Sequence, residues 1–225
     1  MKRIFLAAPL FFLVAACAGP SVQGEKKAEC YVRYLAPESQ SFAEVRLLEE
    51  TPGQNSMKAV ESPAGVRYQG VLMRMLDAQG ITYRLEQGGG YAPQHRFEWQ
   101  DNREKPQAFE MQLPAITGFT FGADAVSNKN PATLRLEGAP LDRQETIVMI
   151  WESADGQGFT IPMEISASQG QDKIEFPAAQ MGKIPTGTWS LYLVRKKRVK
   201  TELNGTTVLG VAEYYSQSDT IRVFE

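Results

Sequence analysis

The feature of this sequence that most restricts its fold is a period of two in short apolar runs, which continues from Glu29 to the end of the chain. In these runs Val, Ile, Thr, Phe and Tyr alternate with polar residues, and clusters of Gly, Pro, Asn and Asp separate one run from the next. Successive side chains of a strand point to opposite faces, so the pattern predicts half-buried strands. In the clearest run, Trp189, Leu191 and Leu193 share one predicted face. The runs cover 29–35, 42–49, 66–76, 81–86, 94–99, 107–113, 116–121, 132–137, 146–152, 159–166, 173–176, 187–195, 207–215 and 219–224.

The number and spacing of these runs indicate the fold class. Fourteen runs separated by turns suit two sandwiches of about seven strands each. The longest windows that fit a helix, 38–50 and 71–79, are short and also fit strand spacing, so a helix there is the alternative. We therefore predict an all-β fold of two tandem immunoglobulin-like β-sandwich domains.

Two parts of the chain resemble each other at a constant spacing of 78 residues (155 less 77). Asp77-Ala78-Gln79-Gly80-Ile81-Thr82 matches Asp155-Gly156-Gln157-Gly158-Phe159-Thr160. We interpret this as two copies of one β-sandwich unit, with an insertion around 51–65 in the first copy. The alternative is that two hairpins with Asp and Gly in their turns look alike by chance. The flanking triplets that match in the same order are Val45-Arg46-Leu47 with Leu134-Arg135-Leu136, Val71-Leu72-Met73 with Ile147-Val148-Met149, and Phe97-Glu98-Trp99 with Ile174-Glu175-Phe176.

A boundary between the two units is predicted at Leu113-Pro114-Ala115, because proline cannot continue a central strand ladder. The tract Pro114-Ala115-Ile116-Thr117-Gly118-Phe119 resembles the first strand of bacterial immunoglobulin-like modules of the IPT/TIG type. That resemblance covers one strand; it implies an immunoglobulin-like fold and no site residues. The predicted domains are therefore 29–113 and 114–225.

The pattern of the N-terminal residues predicts export. Lys2 and Arg3 precede an apolar run over 4–14, which is too short for a transmembrane span of about 20 residues. The ending Val14-Ala15-Ala16-Cys17 resembles the lipobox of bacterial lipoproteins. The resemblance implies cleavage before Cys17, a diacylglycerol thioether on Cys17 and acylation of its amine. The alternative is an ordinary signal peptide with a chance cysteine.

The lipobox resemblance also predicts the location of the protein. It makes 1–16 a signal peptide and 17–28 the lipidated cysteine with a tether, in which 18–27 is polar and has few large apolar residues. In lipoproteins an Asp after the cysteine favours the inner membrane; Ala18 stands there, which implies the outer membrane. Two or more acyl chains anchor a protein stably in the lipid bilayer, and a flexible tether of this length spans about 17 Å. The body is expected near the membrane, on the periplasmic side or at the cell surface.

Charge and cysteine content exclude several classes of function. The formal net charge is −2, and it becomes −4 when removal of the signal peptide takes away Lys2 and Arg3. Nucleic-acid binding is not expected, because it needs a basic surface. With Cys17 lipidated, Cys30 is the last thiol, so no disulfide within the chain is expected. The strand-like neighbours of Cys30 predict that it is buried.

Catalytic patterns are scarce. His95 is the only histidine, and together with Cys17 and Cys30 it supplies too few ligands for a zinc site. The sequence has no Gly-x-Ser-x-Gly elbow and no phosphate-binding Gly-Lys-Ser/Thr loop. We therefore predict no catalytic residue, no metal and no cofactor. Two alternatives are not excluded by composition: a Cys30–His95 dyad, since such pairs meet in space rather than in sequence, and a pair of carboxylates.

Two groups of residues are candidates for binding. Arg195-Lys196-Lys197-Arg198 is a basic segment that could contact lipid headgroups, phosphates of a glycan or an acidic partner. The alternative is a solvated hairpin whose charges prevent edge-to-edge pairing. The second group is aromatic and could stack on sugars, although rings at this spacing are more often core residues. Its members are Tyr91, Trp99, Tyr214 and Tyr215.

The predicted function is binding or scaffolding in the cell envelope without catalysis. The expected partner is a protein that adds a strand to an exposed sheet edge. The first alternative is recognition of a glycan, peptidoglycan or lipopolysaccharide by the basic segment, Trp99 and Tyr91. The second is a small envelope hydrolase that uses Cys30 and His95.

Overall fold

The computed structural model describes residues 24–225 except 52, 55, 78–79, 154–159, 167 and 169. Within these residues the chain forms eighteen strands and one helix of four residues, which confirms the prediction of an all-β fold. The elements are β1 (Lys26–Leu35), β2 (Gln40–Glu50), β3 (Met57–Ala59), β4 (Val66–Tyr68), β5 (Val71–Leu72), β6 (Arg74–Leu76), β7 (Thr82–Gly88), β8 (Gln94–Gln100), β9 (Pro106–Gln112), β10 (Ile116–Thr120), β11 (Ala125–Ser127), β12 (Ala132–Gly138), β13 (Glu145–Ser153), β14 (Thr160–Ser166), β15 (Lys173–Phe176), α1 (Ala178–Met181), β16 (Gly187–Leu203), β17 (Thr206–Tyr215) and β18 (Asp219–Phe224).

The period of two in the sequence appears directly in the burial of the strands. In β1, alternate side chains from Ala28 to Tyr34 are buried, and those between them, such as Tyr31 and Arg33, lie on the outer face. β17 alternates in the same way from Thr206 to Tyr215. Each strand therefore contributes one row of side chains to the core and one row to the surface.

Eleven strands form one hydrogen-bonded sheet, which we call the shared sheet. Its main path runs β11-β18-β16-β17-β1-β2-β7-β6. β13 pairs with the edge of β16 that faces away from β17 and β18, and β14 pairs with β13. β3 pairs with the end of β2. β1 pairs in parallel with β17 and antiparallel with β2. The first and the second half of the chain thus contribute neighbouring strands to one sheet.

β16 is the strand that connects the two parts of the shared sheet. It is 17 residues long. One of its edges pairs with β13 over 189–197, while its other edge pairs first with β18 over 187–191 and then with β17 over 194–203. A single long strand therefore belongs to both parts of the molecule.

A smaller sheet of four strands, β5-β4-β8-β9, covers the part of the shared sheet formed by β1, β2 and β17. The two sheets approach closely at Gly210 of β17: a Cβ atom added there would lie 2.5 Å from Cζ of Phe109 on β9. Phe109 in turn stacks on Phe97 of β8, with ring centroids 6.3 Å apart. This face-to-face packing makes the first β-sandwich.

A second small sheet, β10-β12-β15, covers the other part of the shared sheet. Trp151 of β13 is fully buried there. The ring of Phe121 lies between the two sheets, with centroids 5.9 Å from Trp151 and 6.2 Å from Phe176 of β15. This packing makes the second β-sandwich, so the predicted pair of sandwiches is present.

The predicted domain boundary at Leu113-Pro114-Ala115 separates β9 from β10 but does not divide the hydrogen-bonded sheet. β17, from the predicted second domain 114–225, pairs with β1 of the predicted first domain 29–113 over ten residues. Leu113 is fully buried rather than part of an exposed hinge. The boundary therefore lies between the two smaller sheets, while the pairing of β17 with β1 could not be predicted, because strand pairing between distant segments leaves no local mark in the sequence.

The predicted repeat agrees with the structure in part. β7 and β14 each form a hairpin within the shared sheet, and the strands after them, β8 and β15, lie in the two smaller sheets. Both upstream matches are wrong. β2 lies in the shared sheet whereas β12 lies in the three-stranded sheet, and β5 lies in the four-stranded sheet whereas β13 lies in the shared sheet. The turn residues 78–79 and 155–158 on which the repeat was based lie outside the described residues.

The predicted signal peptide, Cys17 and most of the tether also lie outside the described residues. In the part of the chain that is described, no helix is both long and apolar enough to cross a membrane.

Candidate functional site

The basic segment predicted to bind ligands is largely neutralised by the fold. Arg195 is buried and forms an ion pair of 2.6 Å with the buried carboxylate of Glu145. It also donates hydrogen bonds of 2.8 Å to the carbonyl oxygens of Ala139 and Pro140. Every donor nitrogen of this guanidinium faces the protein interior, so Arg195 stabilises the junction of the sandwiches and is not free to bind a ligand.

The other members of the basic segment lie at the surface. Lys196 pairs with Glu213 at 2.6 Å, and Lys197 pairs with Asp142 at 3.2 Å. Arg198 is exposed and forms no ion pair within the described residues. The four residues therefore do not act as one patch, because only Arg198 keeps an uncompensated charge.

The aromatic residues predicted to bind sugars lie mainly in the core. Trp99 on β8 is 5% exposed and Tyr214 is 7% exposed. Tyr91 is partly buried; its hydroxyl donates a hydrogen bond to the carbonyl oxygen of Leu113, and its ring contacts Tyr214 edge-on. Tyr215 alone of this set lies on the outer face of the shared sheet. The rings of Trp99 and Tyr91 therefore pack against protein and are not available for stacking on a sugar.

Cys30 and His95, the predicted alternative dyad, are both buried. Burial raises the pKa of the Cys30 thiol far above its ordinary value, which disfavours the reactive thiolate. The His95 ring lies between two hydroxyls, with Tyr68 Oη 2.8 Å from Nδ1 and Tyr91 Oη 3.4 Å from Nε2. Both ring nitrogens face tyrosines, so His95 is placed as a core histidine.

The structure brings together a different set of residues on the outer face of the shared sheet. They line a groove of about 700 Å³, which we call the sheet groove. Its floor comes from β1, β2 and β7, and one wall comes from the segment that contains β5 and β6. This volume is within the range of known ligand sites, about 300–1,000 Å³. The residues that define the sheet groove are Tyr31, Arg33, Phe42, Leu72, Arg74 and Arg84.

Strand register explains why these side chains converge. Tyr31 lies opposite Glu44, Glu44 opposite Arg84, and Arg84 opposite Arg74, so four strands contribute to one row. In the next row Arg33 lies opposite Phe42. Residues directly opposite each other on one face of a sheet are close enough to interact.

The arginines of the sheet groove differ in their partners. Arg84 pairs with Glu44 at 2.8 Å. The Arg33 guanidinium lies 4.6 Å from the centroid of the Phe42 ring, and its buried Nε has no hydrogen-bond partner among the described residues. Arg74 is exposed and has no ion pair in the same part of the chain. The sheet groove therefore contains more positive charge than its own carboxylates compensate.

Beside the sheet groove, Glu213 organises a polar network. It accepts hydrogen bonds from the hydroxyls of Tyr31 at 2.8 Å and Tyr215 at 3.2 Å, and it pairs with Lys196. Burial acts to raise the pKa of Glu213, but the contacts with Lys196 and Tyr31 outweigh it and lower that pKa. Burial and Glu213 together raise the pKa of the Tyr31 hydroxyl. Tyr31 is thus held in one orientation at the rim of the sheet groove.

The segment Val71–Leu76 forms an apolar edge, which we call the edge segment. It supplies the outermost strand of the four-stranded sheet, β5, and then the last strand of the shared sheet, β6. Val71 is 46% exposed, Leu72 54% and Met75 46%. Exposed apolar side chains at a sheet edge favour contact with another chain.

Sequence reasoning did not identify the sheet groove. Arg33 and Arg74 are ordinary outward residues in their own strands, and they are 41 positions apart. Only the register of β1, β2, β7 and β6 places them together. One signal in the sequence could have indicated an exposed apolar edge here: the run 66–76 has too few polar residues for one surface strand. The structure divides this run into three short strands.

Among the described residues no group of three or more His, Cys, Asp or Glu side chains is placed to hold a metal ion. Comparison with family models gives no match, and comparison with curated proteins gives none either.

Comparison with solved structures finds chains of low similarity. Murine CEACAM1b is 10% identical, with a TM-score of 0.23, and the match covers 89% of this chain and all of that one. SGBP-B of the Bacteroides ovatus mixed-linkage glucan utilization locus, in complex with a mixed-linkage heptasaccharide, is 9% identical, with a TM-score of 0.25. That match covers 89% of this chain and 60% of SGBP-B. Similarity at this level carries no argument about fold or function.

Proposed function

We propose that this protein is an envelope lipoprotein, anchored in the outer membrane through Cys17, which binds a protein partner and catalyses no reaction. The observation that carries the proposal is the edge segment, where three large apolar side chains are exposed beside strand edges that have no second partner among the described residues. β6 is hydrogen-bonded only to β7 among the described residues. An extended segment of a partner can pair with such an edge through main-chain hydrogen bonds.

Another edge of the shared sheet, formed by β14, is protected in a way that the edge segment is not. β14 pairs with β13 alone in the described part of the chain, and it carries Pro162 in its centre. Proline lacks an N–H donor, which hinders addition of a further strand. β6 contains no proline and is flanked by exposed apolar residues, which makes it the more suitable edge for a partner.

The partner is tested by placing a photo-crosslinking amino acid at Met75 of the full-length chain in its own envelope. We expect an adduct with one protein. The matched control is the same amino acid at Phe224 on β18, where the side chain is 47% exposed, as against 46% at Met75. Absence of an adduct at Met75, or the same adducts at both positions, would contradict binding at this edge.

The anchor is tested separately by metabolic labelling with a palmitate analogue. We expect Cys17→Ser to abolish the label and to release the protein from membranes, because two or more acyl chains supply the anchoring free energy. Cys30→Ser is the control and should keep the label. Label that persists in Cys17→Ser would reject the lipoprotein assignment.

A glycan is the second candidate ligand, and one observation favours it. Tyr192 and Tyr215 lie side by side on the outer face of the shared sheet, with ring centroids 6.4 Å apart. Partly exposed rings of this kind stack on sugars. Binding to purified cell wall that is lost in Tyr192→Ala and Tyr215→Ala would support this candidate; equal binding by these variants and the wild type would reject it.

A further inference from the structure

We infer that the sheet groove binds a carboxylate side chain of an acidic, extended peptide segment that lies along β6. The inference rests on the proposed function, since it specifies the chemistry of the protein partner. It depends on three observations. The buried Nε of Arg33 has no hydrogen-bond partner among the described residues, Arg74 lies opposite Arg84, and these arginines lie beside the edge segment.

Arg33 is the first observation. Its Nε is buried and has no hydrogen-bond partner among the described residues, and its guanidinium lies over the ring of Phe42. Two arginines that also lie on outer faces do have carboxylate partners: Arg46 pairs with Glu29 and Arg96 pairs with Glu110. A buried donor without a partner is unfavourable, and a carboxylate that accepts two N–H bonds is the partner that a guanidinium fits best.

The facing arginines of β6 and β7 are the second observation. Arg74 lies directly opposite Arg84 in the register of these strands. Like charges directly opposite on one face are destabilising. Glu44 compensates Arg84, but no carboxylate in the described chain pairs with Arg74. An anion that contacts the side chains of both Arg74 and Arg84 would remove this repulsion.

The position of the charges beside a strand edge is the third observation, and it favours a peptide over other anions. The main chain of Arg74–Leu76 has no second strand partner in the described chain. Successive side chains of an added strand point to opposite faces, so one set faces the sheet groove and the other does not. A carboxylate in the first set reaches the arginines, while apolar side chains in the second set lie on the face of Met75, which is 46% exposed.

The overall charge of the protein makes this concentration of positive charge distinctive. The chain has a formal net charge of −2, yet the sheet groove is lined by three arginines and two glutamates, Glu44 and Glu86. An acidic segment is thus repelled by the protein as a whole and attracted at this place, which directs it to one site.

The test measures binding of fluorescent peptides to the full-length chain, purified in a non-ionic detergent. One peptide alternates glutamate with valine, and a second has glutamine in place of each glutamate. We expect the glutamate peptide to bind about tenfold more tightly, because hydrogen bonds to charged groups are the stronger ones. Arg33→Gln and Arg74→Gln should each remove most of that difference. The control is Arg46→Gln, which changes a paired arginine on the same face of the sheet. This variant should still bind the glutamate peptide more tightly than the glutamine peptide.

Other outcomes would overturn the inference. Equal binding of the two peptides, or unchanged binding by both groove variants, would show that no carboxylate is recognised there. Binding of polygalacturonate but not of the glutamate peptide would assign the sheet groove to an anionic glycan instead. Crosslinking at Met75 is independent of these charges: if an adduct forms there while the charge variants change nothing, the proposed function holds and the acidic ligand does not.

Discussion

At the scale of single residues, Gly210 shows how closely the two sheets of the first sandwich approach. A Cβ atom at this position would overlap Cε of Met111 and would lie 2.5 Å from Cζ of Phe109. The methionine end can move, but the phenylalanine ring is held by its stacking on Phe97. A Cβ atom at this position therefore requires a shift of the facing sheet.

We predict that Gly210→Ala lowers the free energy of unfolding by about 1–3 kcal/mol, the usual cost of overpacking a core. Gly90→Ala is the matched control, because no atom lies within 4 Å of a Cβ built there and its φ is not in the left-handed region. Urea denaturation of the two variants checks the prediction. Equal stability of Gly210→Ala and the wild type would contradict the close approach.

His95 makes stability depend on pH. Burial lowers its pKa from 6.5 to about 4. Because the folded-state pKa lies below the unfolded value, the unfolded chain binds the proton more readily between these values. The stability that His95 contributes is therefore complete above pH 6.5 and is lost as the pH falls towards 4.

We predict that this loss amounts to about 3 kcal/mol over that pH range, from about 1.4 kcal/mol for each pKa unit. Urea denaturation at several pH values measures it. His95→Gln is the comparison, since its side chain does not titrate and the carboxylates of both proteins titrate alike. The same pH dependence in both proteins would show that His95 is not the group responsible.

At the scale of elements, the buried pair of Arg195 and Glu145 fastens β16 to β13 and to the chain that precedes β13. Arg195 contacts Glu145 on β13 and the carbonyl oxygens of Ala139 and Pro140. Glu145 also accepts a hydrogen bond of 2.9 Å from the backbone N–H of Asp142. One side chain thus satisfies acceptors from several parts of the fold.

We predict that Arg195→Met costs about 3–5 kcal/mol of stability, because it leaves the Glu145 carboxylate buried without its charge partner. Adding Glu145→Leu should restore most of the loss, since a buried pair replaced by apolar groups is often neutral. Thermal denaturation of the single and double variants decides this. A double variant no more stable than Arg195→Met would mean that Arg195 acts chiefly through the two carbonyl oxygens.

At the scale of the whole molecule, the shared sheet couples the two sandwiches. β16 and β17 come from the C-terminal half of the chain, and β17 completes the sheet beside β1. A protein cut at residue 113 loses the strand that pairs with β1 and the close packing of Gly210 on β9. The fold is therefore expected to form and unfold as one unit.

We predict a single unfolding transition for both sandwiches. In a Trp99→Phe variant, the remaining fluorescence comes from Trp151 and Trp189, which lie in the second sandwich. Labelling of the buried Cys30 thiol reports on the first sandwich. The two signals should change at the same concentration of guanidinium. Labelling of Cys30 well before the loss of fluorescence would show that the sandwiches unfold independently.

The strands could be predicted from the order of residues, because their signal is local. Alternation at Trp189, Leu191 and Leu193 marks a strand within a few residues, and the same parity places Arg195 on the inward face. That inward position could have been predicted for Arg195, whereas its partner Glu145 is 50 residues away and could not. The resemblance of Val14–Cys17 to a lipobox is likewise local, and it stays a prediction.

Which strands are neighbours became known from the three-dimensional structure, since pairing between distant segments depends on packing and leaves no local pattern. It placed β17 beside β1, which joins the predicted domains in one sheet. It also placed Trp99 in the core and brought Arg33 and Arg74 to one groove on the opposite face of the shared sheet. The strands follow from the order of apolar and polar residues, whereas the candidate site follows from their register.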